Sequence, residues 1–477
     1  MRLFMNRPVF EYDIRGLLMA FYPGAEITTG TEKDGAGTAL SVLYGDGDPT
    51  PCRLSFSRDG RTECADVLLD LSDRSRAKTV LKRALYGILR GDTGLSLPWG
   101  TLTGIRPTKI PMAMLREGKT DGEILAHMTE TLLVSEEKAA LALAIAKREL
   151  SLLEKIDYED GYSLYIGIPF CPTTCLYCSF TSYPISCYEA RVPEYLDTLM
   201  REIRWAGEHF RGKKLNTIYF GGGTPTTLPP EAMDFLLREV SKTFDLSSLL
   251  EWTVEAGRPD SVTEEKLRVL KKYPVSRISI NPQTMHQRTL DLIGRRHTVE
   301  DVKNAYALAR SLGFDNVNMD LILGLPGEDA ADVESTMREI VKLSPDNVTV
   351  HSLAVKRAAR LNIMKDAYKG YTMETTEEVM RMCARYLSEI GQAPYYLYRQ
   401  KNMAGNLENT GFARPGKEGI YNILIMEEVQ TILALGAGAT TKRVQGDLIT
   451  RAENVKNVDT YIENIDEMLR RKEELFS

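Results

Sequence analysis

The chain predicts an α/β fold: a partial (β/α)6 barrel, preceded by an N-terminal α+β domain and followed by a small C-terminal domain. Three observations carry this. Strand-like and helical runs alternate regularly from Tyr162 to Lys342, the pattern of βα units on a parallel sheet. Polar or glycine residues close successive strand-like runs, where barrels of this kind gather their functional groups. On either side of this stretch the alternation stops.

Residues 1–155 read as a separate α+β unit whose role the sequence leaves open. A short helix near Tyr12–Phe21 precedes strands around Ala39–Tyr44, Arg53–Phe56 and Glu63–Leu69. The last two flank a hairpin turn at Arg58-Asp59-Gly60-Arg61. That register sets Cys64 opposite Ser55 rather than Cys52, so no disulfide is expected. A helix from Arg74 to Leu89 carries Arg74, Arg76, Lys78, Lys82 and Arg83, which read as a solvated face. The loop Leu97–Lys109 is dense in Gly, Pro and Thr and holds Trp99 and Arg106; it reads as a packed connector, with anion binding as the alternative. An alanine- and leucine-rich helix, Ser135–Ile156, leads into the core.

The core spans 160–365. Strands are expected at Ser163–Ile168, Asn216–Phe220, Glu251–Glu255, Val275–Ile280, Asn316–Ile322 and Asn347–His351. Helices are expected between them at Tyr188–His209, Pro230–Lys242, Thr263–Lys272, Thr298–Ser311 and Ala330–Lys342. A third region, 366–477, is expected to close the site. It offers a helix at Thr375–Ile390, a tyrosine-rich strand at Tyr395–Tyr398 and a small-residue run from Leu435 to Lys442. The net charge of −6 argues against nucleic acid as the main partner. No apolar run approaches the length of a membrane span, and none reads as a secretory signal.

The densest chemistry lies at the end of the first core strand, in Cys171-Pro-Thr-Thr-Cys175-Leu-Tyr-Cys178. Three thiolates this close can surround one iron–sulfur cube and leave one of its irons open. A zinc site favours paired C-x2-C motifs or added histidines, and neither is nearby. The spacing resembles the motif of the radical S-adenosylmethionine (SAM) superfamily, in which SAM chelates the open iron. That resemblance implies a [4Fe–4S] cluster on Cys171, Cys175 and Cys178, SAM as cosubstrate, and a reducing, cytoplasmic setting. Cys52, Cys64, Cys187 and Cys383 read as ordinary reduced cysteines.

Later strand ends add to the site. Gly221-Gly222-Gly223-Thr224-Pro225 follows the second strand, and three glycines let a backbone approach a ligand closely. Glu255 ends the third strand, Gln283 and Arg295 follow the fourth, and Asp320 lies in the fifth. Singly, each suits a cap or a surface; together they aim polar groups at one place.

Tyr165, the Ile-Pro-Phe before Cys171, Gly-Gly-Gly-Thr-Pro-Thr, Asp320 with Gly-Leu-Pro-Gly, and the late Ala-Gly-Ala run resemble the oxygen-independent coproporphyrinogen III oxidase (coproporphyrinogen dehydrogenase) family. The N-terminal extension and the tail resemble its HemZ-like branch. The resemblance implies that Tyr165, Tyr177, Gly222, Gly223, Thr224, Glu255, Gln283, Arg295 and Asp320 contact one or two SAM molecules, with Tyr165, Glu255 and Arg295 serving catalysis. It implies a tetrapyrrole substrate and a flavodoxin- or ferredoxin-like electron donor. Reductive cleavage of SAM would give a 5′-deoxyadenosyl radical that takes hydrogen from a propionate; loss of carbon dioxide and one electron then leaves a vinyl group. Lys356, Arg357, Arg360 and Arg399 lie where they could meet the propionates, with ordinary solvated charges as the equal alternative.

Two departures stand out. Phe180 occupies the position where the established dehydrogenases have a fourth cysteine. The related haem-chaperone branch carries a histidine in the stretch that here reads Tyr421-Asn422-Ile423-Leu424-Ile425-Met426. An enzyme is therefore favoured over a haem-binding or trafficking protein; a radical SAM methyltransferase using a second SAM is a further alternative.

Overall fold

The computed structural model describes residues 1–30, 37–354, 359–364, 370–371, 373, 375–400 and 407–477. They fall into two compact units. One comprises 1–147 with 398–408, the other 148–397 with 409–477.

In the first unit, strands β1 (Arg2–Met5), β2 (Thr28–Gly30), β3 (Ala39–Tyr44), β4 (Thr50–Arg58) and β5 (Arg61–Leu69) form a sheet in the order β2-β1-β3-β4-β5. The β4–β5 hairpin has the expected register, with Ser55 opposite Cys64 and Cys52 opposite Val67. Two helices, α1 (Glu11–Phe21) and α2 (Arg74–Thr93), add Leu17, Leu18, Phe21, Leu81, Leu85 and Leu89 to its buried core. The Asp73 carboxylate accepts from the Arg76 N–H and caps the start of α2; Gly94, with φ 70°, ends it. One expectation for α2 fails. Lys82 is buried, with Nζ 3.2 Å from Thr103 Oγ1 and 3.9 Å from Asp13 Oδ1. Burial pulls its ammonium down to about 8 despite that carboxylate. Helices α3 (Lys109–Arg116), α4 (Asp121–Ala126) and α5 (Glu136–Leu153) follow. The loop before α3 is a packed connector: Trp99 is fully buried, and its Nε1 donates to Glu408 Oε2 at 2.8 Å.

The second unit holds the remaining elements. They are β6 (Gly161–Ile168), β7 (Phe170–Cys171), β8 (Tyr183–Pro184), α6 (Val192–His209), β9 (Lys214–Gly222), α7 (Pro230–Thr243), β10 (Glu251–Glu255), α8 (Glu264–Lys271), β11 (Arg277–Ser279), α9 (Gln287–Leu292), α10 (Val299–Ser311), β12 (Val317–Leu323), α11 (Ala330–Leu343) and β13 (Asn347–Ser352). After them come α12 (Arg360–Ile363), α13 (Glu377–Glu389), β14 (Ala393–Tyr398), β15 (Asn409–Ala413), α14 (Ile420–Glu427), β16 (Thr431–Leu435), β17 (Thr440–Gln445), β18 (Leu448–Glu453), α15 (Val458–Glu463) and α16 (Ile465–Phe476). Six strands, β6, β9, β10, β11, β12 and β13, pair in parallel in that order, as the βα alternation predicts. The sheet stays open. Beyond β13 it continues with antiparallel β15 and then β14; beyond β6 it continues with parallel β16 and then β17 and β18. Side-chain caps at Thr263, Thr298 and Asp329 start α8, α10 and α11 and so fix where each strand–helix loop ends.

The region expected as a separate domain over 366–477 is divided differently. Residues 409–477 belong to the second unit, where β16 lies directly beside β6, and 398–408 belong to the first. Among the described residues no helix is long and apolar enough to cross a membrane.

Candidate active site

The site begins where β6 ends. Residues 169–178 leave the sheet as a loop bearing three free cysteines, Cys171 and Cys175 buried and Cys178 partly buried. Each sulfur has a polar neighbour. Cys171 Sγ and Thr224 Oγ1 are 3.4 Å apart, and Cys178 Sγ and Ser182 Oγ 3.8 Å. Arg258 Nη1 donates to Cys175 Sγ at 3.6 Å. Arg295 also reaches Cys175 and Tyr177 with its guanidinium, which they hold firmly protonated against burial. Burial pushes the Cys171 thiol up to about 11 and raises Cys178 as well. Among the described residues no group of His, Cys, Asp and Glu is arranged to hold a single ion. Three thiols on one loop beside two guanidiniums suit an anionic group held by thiolates.

The glycine run also has a packing role. A side chain on Gly223 would begin 2.5 Å from Phe170 O, and Gly222 has a φ of 103°. The absent side chain therefore lets β9 press against the backbone leading into Cys171, with Gly223 N donating to Ile168 O at 2.8 Å. The run thus positions the cysteine loop.

A second cluster lies on the strands themselves. Tyr219 donates its hydroxyl to Glu255 Oε1 at 2.6 Å. Burial pushes the Glu255 carboxyl up to about 7; the Tyr219 bond opposes this and nearby Asp320 reinforces it. Asp320 is held low, against burial, by His351, whose Nε2 lies 3.9 Å away, and by the Asn318 amide. Tyr165, Tyr219 and Tyr421 stack, with 4.5 Å between the Tyr219 and Tyr421 ring centres. The Tyr165 hydroxyl lies 3.4 Å from where a Gly222 side chain would start.

Asn281 and Gln283 join the two clusters. Asn281 Oδ1 accepts from Asp320 N at 3.2 Å, and its main-chain oxygen accepts from Arg295 Nη1. Gln283 has a φ of 68° and receives the chain of β12, its N–H donating to Asp320 O and its carbonyl accepting from Ile322 N. Its side-chain Oε1 and Arg295 Nε are buried with no hydrogen-bond partner among the described residues, as befits groups awaiting a polar ligand.

The residues read from the sequence as cluster and SAM contacts lie in this neighbourhood, with Arg295 beside Cys175 and Tyr177. Arg258, Asp260, Tyr219, Asn281 and Tyr421 were missed as site residues; the Glu255–Asp260 stretch, with an arginine and a carboxylate just past a strand end, held a usable signal for two of them. Of the propionate candidates, Lys356 and Arg357 lie outside the described residues. Arg360 reaches Thr174 O at 3.4 Å beside the cysteine loop. Arg399 does not meet the expectation: it is buried in the first unit, donating to Leu102 O at 2.7 Å beside Trp99.

The Radical SAM superfamily pattern matches residues 165–340. The chain is 43% identical over 420 residues to the oxygen-independent coproporphyrinogen-III oxidase-like protein HemZ of Bacillus subtilis (strain 168), covering 85% of this chain and 84% of that one. The chain belongs to the HemZ branch of the radical SAM superfamily. It is also 33% identical over 308 residues to the haem chaperone HemW of the same organism, covering 64% of this chain and 76% of HemW. Its fold matches that of the Escherichia coli coproporphyrinogen III oxidase HemN with a TM-score of 0.53 at 23% identity, over 67% of this chain and 73% of that chain. Membership in this branch brings a [4Fe–4S] cluster and SAM as the cofactors. The three thiols fit the cluster's donor set, and the unpartnered Gln283 and Arg295 atoms fit a polar ligand beside it.

Proposed function

We propose that this HemZ-branch protein oxidatively decarboxylates two propionates of coproporphyrinogen III to vinyl groups, giving protoporphyrinogen IX. The cluster and SAM supply a 5′-deoxyadenosyl radical, and this chain's residues determine what it meets. Cys171, Cys175 and Cys178 hold the cluster. Arg295, Gln283 and Asp320 orient SAM beside it, and Glu255 holds a proton or releases it according to what is bound. Each propionate would lose one hydrogen atom to the radical and then carbon dioxide and one electron, which passes to an external one-electron acceptor; a flavodoxin- or ferredoxin-like protein would supply the electron that starts each round. Tyr421 is buried and Tyr165 and Tyr219 are partly buried in the ring stack, which limits water beside Glu255.

One observation carries the preference for an enzyme over a haem carrier. Tyr421, where the haem-chaperone resemblance calls for a histidine, is buried in the ring stack beside Glu255 and offers no imidazole. The likeness to HemW favours haem binding as the second reading. Anaerobic protein with SAM, a one-electron reductant and coproporphyrinogen III tests the first: divinyl product, carbon dioxide and 5′-deoxyadenosine should appear together. 5′-Deoxyadenosine formed equally without porphyrinogen, and no decarboxylated tetrapyrrole, would reject the substrate.

A further inference from the structure

Of the three cysteine sulfurs, Cys175 has the most unusual surroundings. Arg258 follows Glu255 by three residues, and its side chain is only 3% exposed. Nη1 donates to Cys175 Sγ at 3.6 Å, to Thr173 O at 3.2 Å and to Thr173 Oγ1 at 3.0 Å. The other edge of the guanidinium is clasped by Asp260, which accepts from Nε at 2.9 Å and from Nη2 at 2.7 Å. This fork fixes the plane of the guanidinium and so aims Nη1 at the sulfur. Thr173 in turn donates to Gly294 O at 3.0 Å, which ties the loop to the segment carrying Arg295. Cys171 has the Thr224 hydroxyl beside it, and Cys178 the Ser182 hydroxyl and the Phe180 backbone, so among the side-chain hydrogen bonds to the three sulfurs the Arg258 guanidinium bonds Cys175.

We propose that Arg258 is a positioning residue that raises the reduction potential of the cluster through Cys175, and that Asp260 sets how much of its charge the sulfur feels. A [4Fe–4S] cluster on three thiolates gains negative charge when it accepts an electron. Hydrogen bonds to its sulfurs and nearby positive charge favour that state. In a buried setting the effect is poorly screened. Asp260 opposes it, because it sits behind the guanidinium with the opposite charge. His297 packs behind Asp260, its Nδ1 3.9 Å from Oδ1, and its side chain is fully buried. Burial and the two arginines depress it to about 4, so it adds no charge near neutrality. Arg295 reaches the same sulfur with a second positive charge.

This inference rests on the cluster and not on which substrate the radical attacks, so failure of coproporphyrinogen turnover leaves it standing. Its test is an EPR-monitored redox titration of the cluster-loaded full chain without SAM, with iron and sulfide counted per chain. Arg258→Gln should shift the midpoint to more negative potential, with Arg258→Lys between it and the parent. Asp260→Asn should shift it the other way. Opposite signs at two residues that grip each other are what a charge effect requires; a purely structural clamp would move both alike or change only cluster loading. A fully loaded Arg258→Gln variant with the parent midpoint would overturn the proposal. If that variant does not retain its cluster, Asp260→Asn decides: a positive shift supports the proposal, and no shift or a negative one rejects it.

Discussion

At Glu255 burial works against charge, and the consequence can be measured in the folded chain without any cofactor. Its carboxyl is pushed from an ordinary 4.5 up to about 7. The native state therefore keeps a proton that the unfolded state releases. The stability this gives is complete below about 4.5 and is lost as pH rises through about 7. A shift of this size corresponds to at most about 3 kcal/mol. Glu255→Gln stays neutral throughout, so its stability relative to the parent should improve between pH 5 and pH 8 in urea denaturation. A difference that is constant over that window would mean that Glu255 does not titrate there. Cys175 makes a simpler case. Cys175→Ala removes one of three thiols and should abolish the iron–sulfur absorbance after anaerobic reconstitution, whereas alanine at Cys52, Cys64, Cys187 or Cys383 should leave it. Full absorbance and four irons per chain in Cys175→Ala would contradict the assignment. These residues were legible because spacing alone exposes them: a thiol triad, a glycine run, a carboxylate at a strand end. Arg258 and Asn281 were not, because arginine and asparagine near a strand end are common and only the folded geometry shows which sulfur or guanidinium they meet.

Among the elements, the six central strands were readable because parallel strands buried on both faces run apolar and are separated by helices of matching period. Strand β16 was not, since nothing local in Thr431–Leu435 announces pairing with β6, far away in sequence. Lys82 failed for a related reason: a lysine on a helix reads as solvated until a packed loop covers it. One buried polar network holds the late elements in place. Glu202 on α6 accepts from Lys472 Nζ of α16 at 2.7 Å, from Tyr461 Oη at 2.6 Å and from Gly436 N at 2.6 Å, and both charged side chains are essentially fully buried. It thereby fixes the turn after β16, where a Gly436 side chain would begin 2.5 Å from Gly167 O on β6. Lys472→Met leaves a buried carboxylate without its cation and should cost about 3–5 kcal/mol in denaturant unfolding. Pairing it with Glu202→Leu should recover part of that loss; a single variant as stable as the parent would show that the pair carries no net weight.

For the whole molecule, composition and periodicity separated an N-terminal region from a βα core, yet they could not show that the first unit recruits a distant piece of chain. Residues 398–408 join it through contacts no local pattern reveals. Glu408 accepts from Lys138 Nζ at 2.6 Å and from Trp99 Nε1 at 2.8 Å, and the Lys138–Glu408 pair is almost fully buried. Arg399 N donates to Ile105 O at 2.7 Å. The first unit is thus not a detachable N-terminal domain, because the second unit's chain runs out into it and back. Deleting residues 1–147 would remove Lys138 and Trp99 and so take these two partners from Glu408, in the stretch between β14 and β15 of the main sheet. The truncated chain is expected to lose cooperative unfolding or to aggregate, although Cys171, Cys175, Cys178 and every SAM-site residue remain in it. Glu408→Gln in the full chain isolates the ionic part: it leaves Lys138 buried without its counter-charge and should destabilise by about 3 kcal/mol or more. A truncation that unfolds cooperatively at the parent's denaturant midpoint and takes up a full cluster would show that residues 1–147 are dispensable to the fold, contrary to what the Lys138–Glu408–Trp99 contacts require.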